Sequence, residues 1–278
     1  MVVDKPAGIT SHDVVAQLRR RLGERRVGHS GTLDPGATGV LLVGVGKVTR
    51  VLRFLTDLPK TYTGEVVLGV ETSTLDDGGE VTARHEGMSG ITLDVVQATV
   101  RERLTGPILQ VPPMVSALHV DGRRLHELAR EGIEVERPPR PVVVHRFDVE
   151  VTPSALVYRI RVECSSGTYV RSLAADLGRL LGGGAHLRGL RRTGIGSFDV
   201  GEARPPDVAA LLPPAEAMRD YARVTVGGDA LDDVRHGRSL PAFPGDGPWG
   251  VLDADGDLVA VYEPAGGGAK PAVVLVGT

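Results

Sequence analysis

Residues 29–39, HSGTLDPGATG, are the most informative stretch of this 278-residue sequence. Glycines and a proline surround one carboxylate, Asp34, so the chain is expected to form a loop here rather than a helix or a strand. Such a loop can hold a carboxylate out toward a cleft. An Asp-Pro pair is also typical of a plain turn, so this stretch alone does not establish a catalytic group.

The segments on both sides of the loop alternate between helical and strand patterns. Residues 11–22 place Val14, Val15 and Leu18 at helical spacing behind Ser11, a candidate N-cap, and predict an amphipathic helix. Further patterns predict strands at 40–46, 62–70, 142–151 and 156–164, the last two as antiparallel neighbours, and a helix at 90–104. We therefore predict the α+β class, with a mixed, mainly antiparallel sheet flanked by helices.

Composition limits the kinds of site that the chain can hold. The single cysteine, Cys164, excludes an internal disulfide, and neither a CxxC pair nor an HExxH motif occurs. We expect no metal and no cofactor. No apolar run approaches the roughly 20 residues that cross a bilayer, and the first residues lack a signal-peptide pattern, so we expect a cytoplasmic protein.

The formal net charge of −3 conceals an asymmetry along the chain. Residues 1–204 carry a net charge of +3, whereas residues 205–278 carry −6. Arginines cluster at 19–26, 123–124 and 188–192. Basic clusters in the first part suit a partner with phosphates, although each cluster alone is more typical of a solvated surface.

Two other sequence patterns do not carry chemistry. Residues 44–49, GVGKVT, suggest a phosphate loop, but Leu41 and Val48 stand where that motif needs glycine and Ser/Thr. Cys164 ends a strand pattern, where a lone cysteine is typically a small buried hydrophobe rather than a nucleophile.

Five segments in order resemble the TruB family of tRNA pseudouridine synthases. They are KPAGITSHDVV (5–15), GHSGTLDPGATGVL (28–41), KTY (60–62), CSSGTYVRSL (164–173) and GAHLRGLRRTGIG (184–196). Any one of them is weak, but their combination and order make chance agreement improbable. The resemblance covers about residues 2–204.

The resemblance implies a set of site residues. Asp34 matches the family's catalytic aspartate, Tyr62 the tyrosine that stacks on the flipped base, and Arg171, at a predicted strand end, the arginine that keeps the carboxylate ionised. The other matching positions are implied to bind RNA or shape the site: Lys5, His29, Asp76, Arg130, Leu173 and Leu190. The isomerisation leaves the composition of the base unchanged, so no cofactor is required.

The segment at about 107–140 resembles the thumb insertion of bacterial members, which guide-RNA-dependent relatives lack. This favours free tRNA, modified at position 55 of the T loop, with no obligatory protein or guide-RNA partner and a monomeric enzyme. Two alternatives stay open here, a non-catalytic RNA-binding or tRNA-folding protein and a guide-dependent synthase. A hydrolase that uses Asp34 and Asp76 as paired carboxylates is a third.

The resemblance also divides the chain into domains. We predict a catalytic domain over residues 1–204, a linker at 205–222 and a small β-rich domain at 223–278 that resembles a PUA domain. Residues 249–263, WGVLDADGDLVAVYE, predict a hairpin in that domain. The DADGD turn lacks the twelfth-position glutamate and following helix of a calcium loop.

Overall fold

The structure is a computed structural model and describes residues 1–116, 119–120, 123–125, 128, 131–133 and 135–275. Its helices and strands confirm the predicted α+β class. Five α-helices have both ends within these residues: α1 (Ser11–Leu22), α2 (Leu52–Asp57), α3 (Leu93–Arg103), α4 (Val170–Leu180) and α5 (Gly228–Arg235). Short 3-10 helices span Gly46–Val51, Met88–Gly90 and Pro214–Met218.

The strands, in chain order, are β1 (Val2–Lys5), β2 (Val27–Ser30), β3 (Thr38–Val45), β4 (Lys60–Leu68), β5 (Val70–Thr72), β6 (Val81–Arg84), β7 (Gly106–Gln110), β8 (His119–Val120), β9 (Arg123–Arg124), β10 (Arg140–Val151), β11 (Val157–Cys164), β12 (Ala185–Ile195), β13 (Phe198–Asp199), β14 (Ala222–Thr225), β15 (Leu240–Pro241), β16 (Trp249–Leu252), β17 (Leu258–Ala265) and β18 (Gly268–Val274).

Two compact units make up the chain. The first contains residues 1–35, 39–58 and 195–278, and the second contains residues 36–38 and 59–194. The predicted domain boundaries at 204 and 223 rest on the family resemblance and divide the chain by a different criterion. They therefore stay a prediction.

Helix α1 of the first unit has the predicted bounds but a different N-cap. Thr10 is in the extended conformation, and its side chain accepts from the Asp13 amide while the Asp13 side chain accepts from the Thr10 amide. This capping box makes Ser11 the first helical residue, so its expected N-cap role was wrong. Val14 and Leu18 are fully buried.

Strand β3 pairs antiparallel with both β1 and β2 in the first unit. Helix α1 packs on these strands through a cluster that includes Val3, Val14, Leu18 and Leu41. The loop between β2 and β3 is the stretch that contains Asp34. A packed helix and two paired strands therefore flank this loop.

The C-terminal part of the first unit is a five-stranded sheet in the order β14-β16-β17-β18-β15. Strands β16 and β17 pair antiparallel on either side of the DADGD turn, which confirms the predicted hairpin. Asp253 Oδ1 accepts from the amides of Asp255 and Asp257 and closes that turn. The predicted linker packs on its own unit, since Ala209 and Met218 are buried and Arg21 Nη1 donates to the Pro206 carbonyl at 2.8 Å.

The second unit is built on a sheet in the order β12-β4-β11-β10-β7. The predicted antiparallel pairing of β10 with β11 is confirmed, and β4 and β7 also pair antiparallel with their neighbours. Helices α3 and α4 pack on this sheet in one hydrophobic cluster, which includes Val96, Val100, Leu173, Leu177 and Ile160. No helix within the described ranges is long and apolar enough to cross a membrane.

Candidate active site

Asp34 lies half-buried in the loop that joins β2 to β3. Gly31, with φ 77°, is in the left-handed region at the start of this loop, a conformation that glycine adopts without strain. Pro35 and Gly36 turn the chain directly after Asp34 and are exposed. The carboxylate therefore sits between a glycine in the left-handed region and an exposed turn.

Ser11 holds the residue before Asp34. Its hydroxyl oxygen accepts from the Leu33 amide at 2.9 Å and donates to the Leu33 carbonyl at 3.1 Å. Ser11 is completely buried, and Leu33 is 3% exposed. A serine in the first turn of α1 thus fixes both backbone polar groups of the residue that precedes the carboxylate.

Lys5 and Gly8 hold the residue after Asp34. The Lys5 ammonium, at 0% exposure, donates to the carbonyls of Ile9 at 2.7 Å, Pro6 at 2.9 Å and Pro35 at 3.2 Å. The Gly8 amide donates to the same Pro35 carbonyl at 2.9 Å. Buried charges are costly unless hydrogen-bonded, and three acceptors satisfy this one. With Ser11, these bonds limit the motion of Asp34 from both sides.

His29 lies in β2, two residues before the same loop begins, and pairs with Val43 of β3. Its ring meets the ring of His12 edge to face, with the centroids 5.3 Å apart. The implied contact with the flipped region of an RNA loop stays a prediction.

Arg171 lies in the second unit, in the first turn of α4, and is 3% exposed. The expected strand end was wrong. Strand β11 ends at Cys164, and Gly167, with φ 82°, turns the chain before a helix whose apolar residues recur at helical spacing. Arg171 Nη1 donates to the Thr74 carbonyl at 2.7 Å, and Nη2 donates to the Val115 carbonyl at 2.8 Å.

Asp76 is the acidic partner of Arg171, with Oδ2 at 3.6 Å from the guanidinium Nε. Its other oxygen, Oδ1, accepts from the Thr74 hydroxyl at 2.5 Å and the Gly78 amide at 3.1 Å. Leu75, between Thr74 and Asp76, has φ 63°, an uncommon conformation for a branched side chain. Asp76 is therefore part of a tightly turned loop around the arginine rather than an isolated surface charge.

Tyr62 and Leu190 are partly buried and pack against the hydrophobic cluster of the second unit. Tyr62 is in β4 and Leu190 is in β12, which is the neighbouring strand. A methyl group on Gly64 would lie 3.3 Å from the Arg188 carbonyl and 3.6 Å from Leu190 Cα, so glycine allows the two strands their close approach. Leu173 is completely buried in the cluster, and its implied role as a pocket wall stays a prediction.

The predicted residues thus fall into two groups. Lys5, His29 and Asp34 belong to the first unit, whereas the second unit contains Arg171 with Asp76, and Tyr62 beside Leu190. Arg130 lies outside the described residues. Among the described residues, no group of three or more His, Cys, Asp or Glu is arranged to hold a metal ion.

Sequence patterns missed several buried or half-buried polar residues around these groups. Ser11 was read as a helix cap, and Thr74 and Gln110 were not singled out. Gln110 is 2% exposed, and two further cationic residues, Lys60 and Arg192, are 4% and 1% exposed. Ser11, Lys60 and Arg192 lie in segments that resemble the family and Gln110 lies in the insertion at about 107–140, whereas Thr74 lies in neither.

Comparison with protein families gives three consecutive matches. Residues 19–170 match a family model described as TruB family pseudouridylate synthase, N-terminal domain. Residues 171–218 match the tRNA pseudouridylate synthase B C-terminal domain, and residues 221–276 match tRNA pseudouridine synthase II, C-terminal.

Curated relatives are similar over nearly the whole chain. A protein from Mycobacterium tuberculosis (strain ATCC 25618 / H37Rv), named tRNA pseudouridine synthase B, is 41% identical over 99% of this chain and 95% of its own length. A protein of the same name from Symbiobacterium thermophilum is 50% identical over 84% of this chain and 80% of its own length.

Solved structures give the same picture of the fold. A chain from a structure titled "Crystal Structure of a Cbf5-Nop10-Gar1 Complex" aligns with a TM-score of 0.76 at 25% identity, covering 100% of this chain and 84% of that one. A chain from an H/ACA RNP bound to a substrate RNA containing 2'-deoxyuridine aligns with a TM-score of 0.73 at 23% identity, covering 99% and 84%.

Proposed function

We propose, from the premise that the chain belongs to the TruB family of pseudouridylate synthases, that Asp34 is the catalytic carboxylate and that the target lies in the T loop of tRNA. The protein is a tRNA pseudouridine synthase, an enzyme that isomerises uridine in tRNA. The observation that carries the role of Asp34 is the loop held on both sides by Ser11, Lys5 and Gly8.

The reaction has modest chemical demands. The bond from sugar C1′ to base N1 breaks, a bond from C1′ to C5 forms, and the proton on C5 is replaced by one on N1. A carboxylate that attacks or assists, a group that moves the proton and a pocket that retains the detached uracil are sufficient. A carboxylate on a preorganised loop needs little rearrangement to react, which is why the anchoring of Asp34 supports this role.

We assign the remaining tasks to the second group of residues. Arg171, whose guanidinium is fixed by Thr74, Val115 and Asp76, keeps Asp34 ionised and directed at the substrate. Tyr62 stacks on the flipped base, and its phenol is the candidate for removing the C5 proton. Leu190 and Leu173 form the apolar surroundings of that base. His29 contacts the RNA loop.

We also propose that the enzyme acts as a monomer on free tRNA in the cytoplasm. Its relatives named tRNA pseudouridine synthase B match nearly the full chain, and the insertion at about 107–140 supports direct binding of the T arm. Arg130, within that insertion, is proposed to join the network of Arg171 and Asp76.

Asp34→Asn tests the catalytic role. We expect the release of tritium from C5-labelled uridine to fall below a hundredth of the wild-type rate, while tRNA affinity in filter binding changes by less than about tenfold, or 1.4 kcal/mol. Asp77→Asn is the matched control, because Asp77 is an exposed carboxylate beside Asp76. Activity above a hundredth in a preparation free of deamidation would remove Asp34 from the mechanism.

A minimal T-arm hairpin tests the substrate. Purified enzyme alone is expected to modify it without guide RNA or protein partner. Modification only in a guide-containing complex would show that the free-tRNA assignment is wrong. Analysis of the product separates the isomerase from a hydrolase, since hydrolysis would release free uracil.

A further inference from the structure

We infer that Gln110 is a positioning residue for Arg171, acting through the first turn of helix α4. Gln110 is the last residue of β7 and is 2% exposed. Its side-chain amide forms two hydrogen bonds with the backbone of Tyr169, two residues before Arg171. The inference rests on the role of Arg171 proposed above.

Both polar atoms of the Gln110 side-chain amide form hydrogen bonds with the Tyr169 backbone. Oε1 accepts from the Tyr169 amide at 2.8 Å, and Nε2 donates to the Tyr169 carbonyl at 3.1 Å. One backbone partner is a donor and the other an acceptor, so the orientation of the Gln110 amide follows from its contacts. A carboxylate or an apolar side chain of the same length could not form both bonds.

Tyr169 is the N-cap residue of α4, and its own side chain forms no capping hydrogen bond. The Leu173 amide donates to the Tyr169 carbonyl at 3.1 Å, the same carbonyl that Gln110 Nε2 contacts. Gln110 therefore fixes the residue from which the helix starts. Residues of the first turn, including Arg171, take their position from it.

The segment that follows Gln110 is attached to the same turn. The Ser172 hydroxyl donates to the Val111 carbonyl at 3.1 Å, and Arg171 Nη2 donates to the Val115 carbonyl at 2.8 Å. Ser172 is 3% exposed. Gln110 thus secures both the backbone that carries the guanidinium and the segment that supplies one of its acceptors.

Loss of the Gln110 amide would leave the backbone amide and carbonyl of the half-buried Tyr169 less well bonded and allow the start of α4 to shift. A displacement of about 1 Å at a catalytic group can reduce a rate by about a hundredfold. We expect Gln110→Met, which conserves length and apolar packing, to lower the single-turnover rate at least about tenfold. The tRNA dissociation constant should change less than about threefold.

A double-mutant cycle distinguishes positioning from general structural support. Gln110→Met is measured in the wild type and in Arg171→Met, with single-turnover rate, tRNA affinity and thermal unfolding as readouts. If Gln110 acts through Arg171, its substitution slows the wild type but produces little further loss in Arg171→Met. The acidic limb of the rate-against-pH profile should also move toward neutrality in Gln110→Met.

The matched control is Gln97→Met. Gln97, on α3, is exposed and also donates its side-chain amide to a backbone carbonyl, that of Val149 at 2.9 Å. It is expected to leave the rate and the pH profile unchanged. Ser172→Ala is a second, milder variant, for which we expect the single-turnover rate to fall about threefold. Its effect should likewise be small in the Arg171→Met background. This variant serves as the test if Gln110→Met does not fold.

A wild-type rate for Gln110→Met, or an equal loss in both backgrounds, overturns the inference. If Gln110→Met does not fold, a wild-type rate for Ser172→Ala overturns it as well. A wild-type rate for Arg171→Met alone would instead refute the proposed role of the arginine, so the two failures are distinguishable.

Discussion

At the scale of single residues, the buried cations differ in what they can do. Lys5 has three backbone acceptors in its own unit, so its charge serves to hold the Asp34 loop together. Arg171 has two carbonyl acceptors and one carboxylate, and its planar guanidinium meets all three in a fixed geometry. A point charge on a flexible stem cannot reproduce that arrangement.

Arg171→Lys is therefore expected to be a severe substitution. If the guanidinium keeps Asp34 ionised and aimed, the variant should lose at least ~2.7 kcal/mol of transition-state stabilisation, about a hundredfold in single-turnover rate. tRNA affinity should change far less. A weaker interaction with the positive charge would raise the pKa of the Asp34 carboxylate, so the acidic limb of the rate-against-pH profile should move toward neutrality. The movement should be larger in Arg171→Met, which removes the charge.

Rates near wild type in both arginine variants, with an unmoved acidic limb, would mean that another group keeps Asp34 charged. Filter binding and thermal unfolding serve as controls for tRNA affinity and folding.

The Cys164 thiol is expected to be unreactive in the folded enzyme. It is completely buried, and burial raises the pKa of its thiol from 9.0 to about 11. At pH 8 roughly one molecule in a thousand carries the reactive thiolate. A disulfide reagent should therefore label the protein only after unfolding in urea, and Cys164→Ala should keep its activity within about threefold. Fast labelling of the native enzyme would contradict this.

At the scale of elements, helix α4 depends on a glycine in its interior. A methyl group on Gly178 would lie 2.4 Å from the Ala185 amide nitrogen and 2.4 Å from the Gly184 carbonyl carbon. Glycine weakens a helix by roughly 1 kcal/mol relative to alanine, yet here it allows the chain before β12 to pass directly against α4.

Gly178→Ala should consequently destabilise the fold, despite the higher helix propensity of alanine. We expect the free energy of unfolding in urea to fall by about 1–3 kcal/mol, because the neighbouring atoms are backbone and must shift. Gly90→Ala is the control, since a methyl group there meets nothing within 4 Å. It should change stability by less than about 0.5 kcal/mol. An unchanged or more stable Gly178→Ala would show that the two segments separate easily.

At the scale of the whole molecule, a chain with a formal net charge of −3 must bind a polyanion through local clusters. The cluster at 188–192 is in β12, the strand beside the one that carries Tyr62. Arg188 is exposed, and its Nη2 lies 2.7 Å from Glu65 Oε2, a surface ion pair of small energy. It can exchange that partner for a phosphate at little cost.

Arg188→Gln with Arg191→Gln should weaken tRNA binding and reduce the slope of log affinity against log salt by about two. The matched control is Arg101→Gln with Arg103→Gln, two exposed residues in the last turn of α3 and outside the arginine clusters, because it removes the same charge elsewhere. Equal salt slopes for the two double variants would indicate that only overall charge matters. Filter binding at several salt concentrations provides the measurement.

The local pattern of the sequence determined two of the helices, the longer central strands and the site loop, whereas it missed helix α4 and strand β12. Hydrophobic periodicity predicted α1, α3 and the pairing of β10 with β11, because period and turn residues depend on near neighbours in the chain. The loop around Asp34 followed from its glycines and proline for the same reason. The family resemblance then identified candidate residues without giving their contacts.

Only the tertiary structure decided what surrounds those residues. Ser11 meets Leu33 across 22 positions, Lys5 meets Pro35 across 30, and Gln110 meets Tyr169 across 59. A periodic pattern reports which face of an element is apolar, but the partner of a buried polar group depends on which distant segment the fold places beside it. For that physical reason, the sequence alone predicted the carboxylate loop, whereas its anchors and the support of Arg171 required the folded chain.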